Sequence, residues 1–530
     1  MASLRSLPRL PVRLPVSPAR RLATDIDLWG AERRRAVRAR LATLAHVLDP
    51  ARPATADDRK TLELVEAVVA LLDPTSTDQV WLAAAVIGGR MPSTVEVLSA
   101  RRRARLDGVV ATLTELVPRV QLEWPPPEGR FSPLAAEWPA VEVITGQVLV
   151  DVFHTADTDL ATGIQRVTRE TVKRWARDHD VTLVSWTSTF TGLKPLTGAA
   201  RERALTGTPA HSQDSRPTVT IPWRCTYILP ELAAEPDRTT AIEAMIEFSC
   251  VRSAMIGFDC VPVTSAETVG EGMGGGFATM LGAATQLDRI AAISGAAAAE
   301  YGGWREMLGG TGLPGPDIRP VSLPDEAVPV EGAAVDAARA AIGIPSMPLV
   351  LVVGSHEPRK NHLAVLHAAD LCWRHGLRFN LVFIGGNAWR GEEFLARLAQ
   401  LQAQGRSVQT ASGISDEVLA GSYSLARFVV FPSLNEGFGL PIVEALAQAT
   451  PVITSGYGSM AEIAAGGGVL TVDPRRDDDI AAAMERLLRD DELLEELVEQ
   501  AKHREPRTWD QYAAETWSFF IDEPQREASA

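Results

Sequence analysis

Glu436 and Glu444 stand eight positions apart in FVVFPSLNEGFGLPIVE, residues 428–444. The stretch divides into an apolar run at Phe428–Phe431, a glycine-bearing loop at Ser433–Gly439, and a helix opened by Pro441. A strand, a glycine loop and a helix start together aim free backbone N–H groups at an anion. A carboxylate beside an anion is costly unless it accepts hydroxyl protons, so sugar or ribose hydroxyls are natural partners for the two glutamates. The plainer alternative is that Glu444 only complements the positive end of its helix and the glycines only shape a turn. A second constellation, Arg359 and Lys360 in GSHEPRKN, follows the apolar run Leu349–Val353 and Gly354. Arg offers a bidentate fork and Lys a point charge, a pairing suited to a diphosphate. Two cations at a helix start are unfavourable without an anion, which disfavours reading them as idle surface charge.

These groups must be positioned by a chain of 530 residues, a length that predicts two or three domains. A net charge of −15 argues against a dedicated nucleic-acid binder. Basic runs do occur at Arg33–Arg35 with Arg38 and Arg40, and at Arg101–Arg103 with Arg105. They read as solvated helix faces, with attraction to an anionic membrane or a lipid diphosphate as the sharper alternative. Cys225, Cys250, Cys260 and Cys372 have neither zinc nor redox spacing, so a reduced intracellular protein is expected. No apolar stretch is long enough to span a bilayer. Residues 1–24 carry five Arg and no acid, but no apolar core of a signal peptide; a disordered basic tail is expected, and composition leaves an organellar transit peptide open.

In chain order, residues 25–122 show helical spacing and no catalytic constellation, and residues 123–144 form a proline-rich linker around WPPPEGRFSP. QVLVDVF at 147–153 predicts a buried strand, followed by a helix from Gly163 and a second strand at Val181–Trp186, the opening βαβ of a doubly wound domain over 145–322. Thr162 and Gly163 lie at that helix start, a place that receives anions or hydroxyls. The bland reading makes Thr162 an N-cap and Arg166 and Arg169 surface charges. Asp157-x-Asp159 has a metal-like spacing but reads as a solvated loop, Arg201–Pro217 reads as a surface loop, and Gly270–Gly276 as a mobile loop over a cleft. A second α/β domain spans 332–506, with Ser415 and Asp416 capping a helix after Gly413 and Ile414, and a further helix starting near Ser459. A final helix occupies 507–525.

With these residues in place, Glu436-x7-Glu444 around Gly437-Phe438-Gly439-Leu440-Pro441 resembles the donor-site motif of retaining glycosyltransferases of family 4. GSHEPRKN resembles that family's diphosphate motif, and TGIQRVTRE at 162–170 resembles the bacterial members that build surface polysaccharides. Asp259 with Pro262 resembles an Asp-x-x-Pro segment on the acceptor side, although Phe258 stands where many relatives have His, and Thr450 stands where a glycine is usual. The resemblance covers roughly residues 145–525 and is most specific over 350–475. It implies a GT-B fold of the α/β class: two Rossmann-like doubly wound domains facing a cleft, here with an extra N-terminal helical region and a final helix crossing back to the first domain. It implies that Glu436, Arg359 and Lys360 act in catalysis. Glu444, Gly437, Phe438, Gly439, Leu440, Gly354, Gly413, Ile414 and Ser459 would bind the donor; Thr162, Gly163 and Asp259 would face the acceptor.

The implied reaction moves a sugar from a nucleotide-diphosphate sugar, GDP-mannose or similar, to a glycan or lipid-linked glycan acceptor. It retains the anomeric configuration and uses no metal or other cofactor. The implied setting is the cytoplasm, extended to peripheral association with the inner face of the plasma membrane. Two alternatives stay open: a non-catalytic sugar-nucleotide sensor or assembly scaffold, and another GT-B enzyme such as an epimerase.

Overall fold

The structure is a computed structural model and describes residues 17–57, 59–119, 138–158, 162–208, 218–326, 330–344 and 346–523. The first α/β half is built on strands β1 Ala140–Ile144, β2 Val148–Asp151, β3 Val181–Trp186, β4 Leu193–Pro195, β5 Thr218–Pro222, β6 Thr226–Leu229, β7 Arg252–Gly257, β8 Arg289–Ala292 and β9 Asp317–Pro320. They form one sheet in the order β1-β5-β4-β3-β2-β6-β7-β8-β9. Only β4 runs antiparallel to its neighbours. The strands near the centre are fully buried apolar runs such as TYIL at 226–229, as a sheet covered on both faces requires.

The second half is built on β10 Leu349–Val353, β11 Asn380–Ile384, β12 Val408–Ala411, β13 Phe428–Phe431, β14 Val452–Ser455 and β15 Val469–Val472. Their order is β12-β11-β10-β13-β14-β15, and every pairing is parallel. The order reverses between β10 and β13 here, and between β2 and β6 in the first sheet. In open α/β sheets the crevice at such a reversal, outside the carboxyl ends of the strands, is where ligands bind.

The appendage is helical, with helices Ala31–Leu48, Thr61–Leu71, Thr77–Gly88, Thr94–Leu106 and Val109–Arg119. Two sequence expectations need correction at its edges. A helix already runs over Pro18–Asp27 and buries Leu22, Ala23 and Ile26, so the end of the expected disordered tail is ordered by an apolar stripe. The rest of that tail, and the linker motif at 124–133, lie outside the described residues. The range taken as linker also contains β1, which pairs with β5 as part of the first sheet.

The Arg33–Arg40 run is not a solvated face either. Buried Arg40 donates to the carbonyls of Ile87 and Pro139, each at 3.0 Å, and burial draws its guanidinium down to about 10. Arg33 lies 3.8 Å over the Trp29 ring, and Arg38 donates to the Ala56 carbonyl at 3.2 Å. The appendage thereby grips the first half: Trp81 stacks on Trp223 with centroids 6.4 Å apart, and the Met91 N–H donates to the Thr191 carbonyl at 2.7 Å.

Two predicted loops also fold. Gly274–Gly276 belong to a helix, Met273–Ala284, because they let it pack closely: a Cβ on Gly274 would stand 3.0 Å from the Pro262 carbonyl oxygen. Residues Gly198–Thr206 form another helix, and residues 209–217 of that predicted loop are not described. The final helix, Trp509–Trp517, lies on the first half. Trp175 Nε1 donates to the Ala513 carbonyl at 3.0 Å, and Arg174 pairs with Asp510 at 2.9 Å.

Arg40→Ala should lower the urea unfolding midpoint by an amount equivalent to about 2 kcal/mol, because it leaves one buried and one half-buried carbonyl without their donor. Arg102→Ala, an exposed change on the Thr94–Leu106 helix, should leave the midpoint in place. Circular dichroism in urea reads both; equal midpoints for all three proteins would contradict the assignment of Arg40.

Candidate active site

At the end of β10, Gly354 takes φ +146°, and a Cβ on Gly385 after β11 would fall 1.9 Å from the Gly354 carbonyl oxygen. The two strand ends therefore touch, and only glycine fits at Gly385. The chain then turns through Pro358–Lys360 to Asn361, whose φ is +59° and whose amide donates to the Pro474 carbonyl at 2.8 Å. That turn lies across the end of β13. The Arg359 carbonyl accepts from the Leu434 N–H at 2.8 Å and lies 3.0 Å from Ser433 Oγ.

This lacing brings Arg359, Lys360 and Glu436 together. Arg359 Nη1 lies 2.6 Å from Glu436 Oε2, and Lys360 Nζ lies 2.7 Å from Oε1. Ser433 Oγ donates to the same Oε1 at 2.5 Å. Arg359 is further held by Glu357 at 2.6 Å and by the Asn435 carbonyl at 2.7 Å. Burial alone would raise the Glu436 carboxyl, but the charges of Arg359 and Lys360 and the two hydrogen bonds reverse this and bring it to about 2. Burial likewise disfavours the Arg359 charge, and Glu436 and Glu357 more than offset it, raising the guanidinium above its ordinary value.

Glu444 sits one turn into the helix Leu440–Ala447, where Tyr423 Oη donates to its Oε2 at 2.8 Å. Burial and that carboxylate raise the Tyr423 phenol well above its usual value. Thr450 Oγ1 in turn donates to the Tyr423 carbonyl at 2.8 Å, so the residue replacing the usual glycine braces the partner of Glu444. The other oxygen of Glu444 pairs with Arg166 of the first half. Arg166 is thus paired across the seam, not an idle surface charge. Thr162 bonds to the Gln165 side chain and does not cap its helix through a side-chain hydrogen bond.

The loop Glu436–Leu440 lies on the seam between the halves. A Cβ on Gly437 would stand 2.8 Å from both Asp259 Oδ2 and the Phe258 carbonyl oxygen, and one on Gly163 would stand 3.3 Å from Leu440 Cδ1. Ser294 Oγ donates to the Gly437 carbonyl at 2.6 Å, and Asn435 Nδ2 donates to Ser265 Oγ at 3.1 Å. Burial raises the Asp259 carboxyl to about 6, against the opposing charge of Arg359. Ser459 Oγ holds the Glu436 carbonyl at 2.9 Å, Phe438 is buried, and Gly439 takes φ +120° at the helix start. Gly413 and Ile414, in the loop after β12, make none of the hydrogen bonds of the Glu436 cluster; the neighbouring Ser415 caps its helix by accepting from the Val418 N–H at 3.3 Å. Asp159 of the metal-like spacing lies outside the described residues.

Sequence reasoning missed Arg166, Tyr423 and Ser433 as parts of the site. Arg166 had a legible signal, since it stands one helical turn from Thr162 and Gly163. Tyr423 had none, because it approaches from another helix. A second buried cluster was also missed at the strand reversal of the first sheet. There Arg238 lies 3.1 Å from Asp151 and 3.0 Å from Glu231, and Glu231 accepts from the backbone N–H groups of His154 at 2.7 Å and Thr155 at 2.9 Å.

Two doubly wound sheets, joined at a seam beside their strand reversals and tied by a returning C-terminal helix, define the GT-B glycosyltransferase fold. Residues 335–504 match the family described as "Glycosyl transferases group 1". The chain is 29% identical over 346 residues to a serotype-specific mannosyltransferase WbdA of Escherichia coli, an alignment covering 60% of this chain and 40% of the relative. It therefore spans less than half the length of that relative. Among solved structures, sucrose-phosphate synthase of Thermosynechococcus elongatus superposes with a TM-score of 0.51 at 16% identity, covering 71% of this chain and 98% of that one. HepE of Anabaena in complex with UDP-glucose gives 0.50 at 14% identity, covering 70% and 99%. No described helix is long and apolar enough to cross a membrane.

The Glu436 carboxyl has a folded value of about 2 against an ordinary 4.5, so its contribution to stability is complete above the ordinary value and is lost as the pH falls toward the folded one. Wild type should melt above Glu436→Gln at about pH 7, and the gap should close progressively below about pH 4.5. Calorimetry across that range checks the sign; a gap that widens on acidification would contradict the ion-pair geometry.

Proposed function

We propose that the chain is a retaining glycosyltransferase, which moves a hexose from a nucleotide-diphosphate sugar to a glycan or lipid-linked glycan acceptor during polysaccharide synthesis. The observation that carries this reading is the Arg359–Lys360–Glu436 cluster at the β10/β13 reversal, beside the start of the helix Leu440–Ala447. Departure of a nucleoside diphosphate builds negative charge on its phosphate oxygens. Arg359, Lys360 and the backbone N–H groups near Gly437–Leu440 are pre-ordered to receive it. Glu436 holds both cations in place and, as a carboxylate at neutral pH, also accepts hydroxyl protons from the sugar. Glu444 has the same capacity toward ribose hydroxyls.

The sugar acquires oxocarbenium character as its bond to the leaving oxygen stretches. In the retaining reading the departing phosphate takes the acceptor proton on the same face, so no side chain need serve as the base. Asp259, across the seam from Gly437, is placed to orient the acceptor hydroxyl. The positive charge needed in the transition state comes from the chain itself, and we assign the reaction no metal or organic cofactor. The mannosyltransferase relative supports GDP-mannose as the first donor to try, and the UDP-glucose held by HepE keeps UDP-hexoses in the panel. We place the reaction in the cytoplasm, with or without contact to the inner face of the plasma membrane.

A panel of nucleotide sugars, read by thermal stabilisation and by slow release of nucleoside diphosphate, tests the reading. One nucleotide class should stabilise the wild type and be hydrolysed slowly, and Glu436→Ala and Arg359→Ala should each lose about 100-fold or more in turnover. Binding without turnover, even with candidate acceptors present, would instead mark a sensor. Absence of binding, with variants that behave as wild type, would refute a donor site here.

A further inference from the structure

Arg166 is the cation that crosses the seam. It lies in the first turn of the helix Gly163–Asp178, whose start meets the start of Leu440–Ala447 where Gly163 faces Leu440. A cation in the first turn of a helix is unfavourable unless an anion is near. Glu444 supplies that anion here, from the opposite half of the molecule. Arg359 and Lys360 converge on Glu436, at the other end of the same Glu436–Leu440 loop. Two helix starts and three cations therefore surround one short segment.

We propose that Arg166 is a ligand of the donor diphosphate, contributed by the half of the molecule that does not bind the nucleoside. The inference rests on the donor reading above. Glu444 holds the guanidinium on the seam. When ribose hydroxyls donate to Glu444, the carboxylate keeps its charge, so Arg166 keeps its counter-ion while its remaining N–H groups turn to phosphate oxygens. The Arg166 side chain is 37% exposed, which leaves those groups open to a ligand, and a planar fork can serve a carboxylate and a phosphate together. A mononucleoside, which lacks the phosphates, gains nothing from Arg166.

The test is calorimetric titration of wild type, Arg166→Ala and Arg166→Lys with the nucleoside, nucleoside monophosphate and nucleoside diphosphate of whichever base the wild type binds best among G, U, A and dT. Thermal melts confirm that each variant is folded. Arg166→Ala should weaken the diphosphate by about tenfold or more while changing the nucleoside by less than about threefold, and Arg166→Lys should fall between. Undiminished diphosphate affinity in Arg166→Ala would make the residue a strut between the halves and overturn the proposal. Equal losses for nucleoside and diphosphate would also overturn it, since Arg166 would then act only through Glu444. A wild type that binds none of the diphosphates fails before the variants are compared, and refutes the donor reading itself.

Discussion

A carboxylate held between two cations is the constraint on which the rest of this structure depends. Glu436, Arg359 and Lys360 are all largely shielded from water. Removing charges from water is expensive and is offset only when geometry and additional hydrogen bonds are good. The chain meets that condition by crossing two loops: Arg359 and Lys360 come from the end of β10, Glu436 from the end of β13, and Ser433 supplies the extra donor. The strand reversal between β10 and β13 is what makes those two loops neighbours. A parallel sheet of this order thus builds the cluster as a consequence of its topology, and the short apolar strands exist to hold two loop ends a few ångströms apart.

The first half answers with a network of its own. Asp151 follows the core of β2, and Glu231 comes just after β6, at the corresponding reversal. Asp151 accepts from Trp186 Nε1 at 2.6 Å, and Arg238 bridges it to Glu231. Glu231 then takes the backbone N–H groups of His154 and Thr155, which fixes the segment leading toward the helix that carries Thr162, Gly163 and Arg166. A carboxylate that accepts backbone donors is a positioning device here, just as Ser459 positions Glu436 through its carbonyl. The appendage adds to this rigidity by packing on the same half through Trp81 and Arg40.

Local patterns are legible in the sequence because local physics makes them. Strands of Val, Leu and Phe, glycine turns after strand ends, and a proline at a helix start are enough to mark β10, β13 and the helix at Leu440. Glu436, Arg359 and Lys360 are legible as residue types, yet their direct contact is not: it depends on a register between distant segments. The arginine run at 33–40 misleads because polarity predicts exposure, whereas Arg40 is buried against carbonyls that no periodicity reveals. The glycines at 274–276 mislead in the opposite sense, since close packing of a helix and mobility of a loop call for the same residue. Arg166 and Tyr423 are illegible as partners of Glu444 because each reaches it from a separate element.

The most direct measurement is a crystal structure of the wild-type chain with the nucleoside diphosphate of its preferred donor. The account predicts phosphate oxygens within hydrogen-bond reach of Arg359 and Lys360 and ribose hydroxyls on Glu444. A diphosphate bound elsewhere, with Arg359 and Lys360 still engaged only by their partners within the chain, would contradict it.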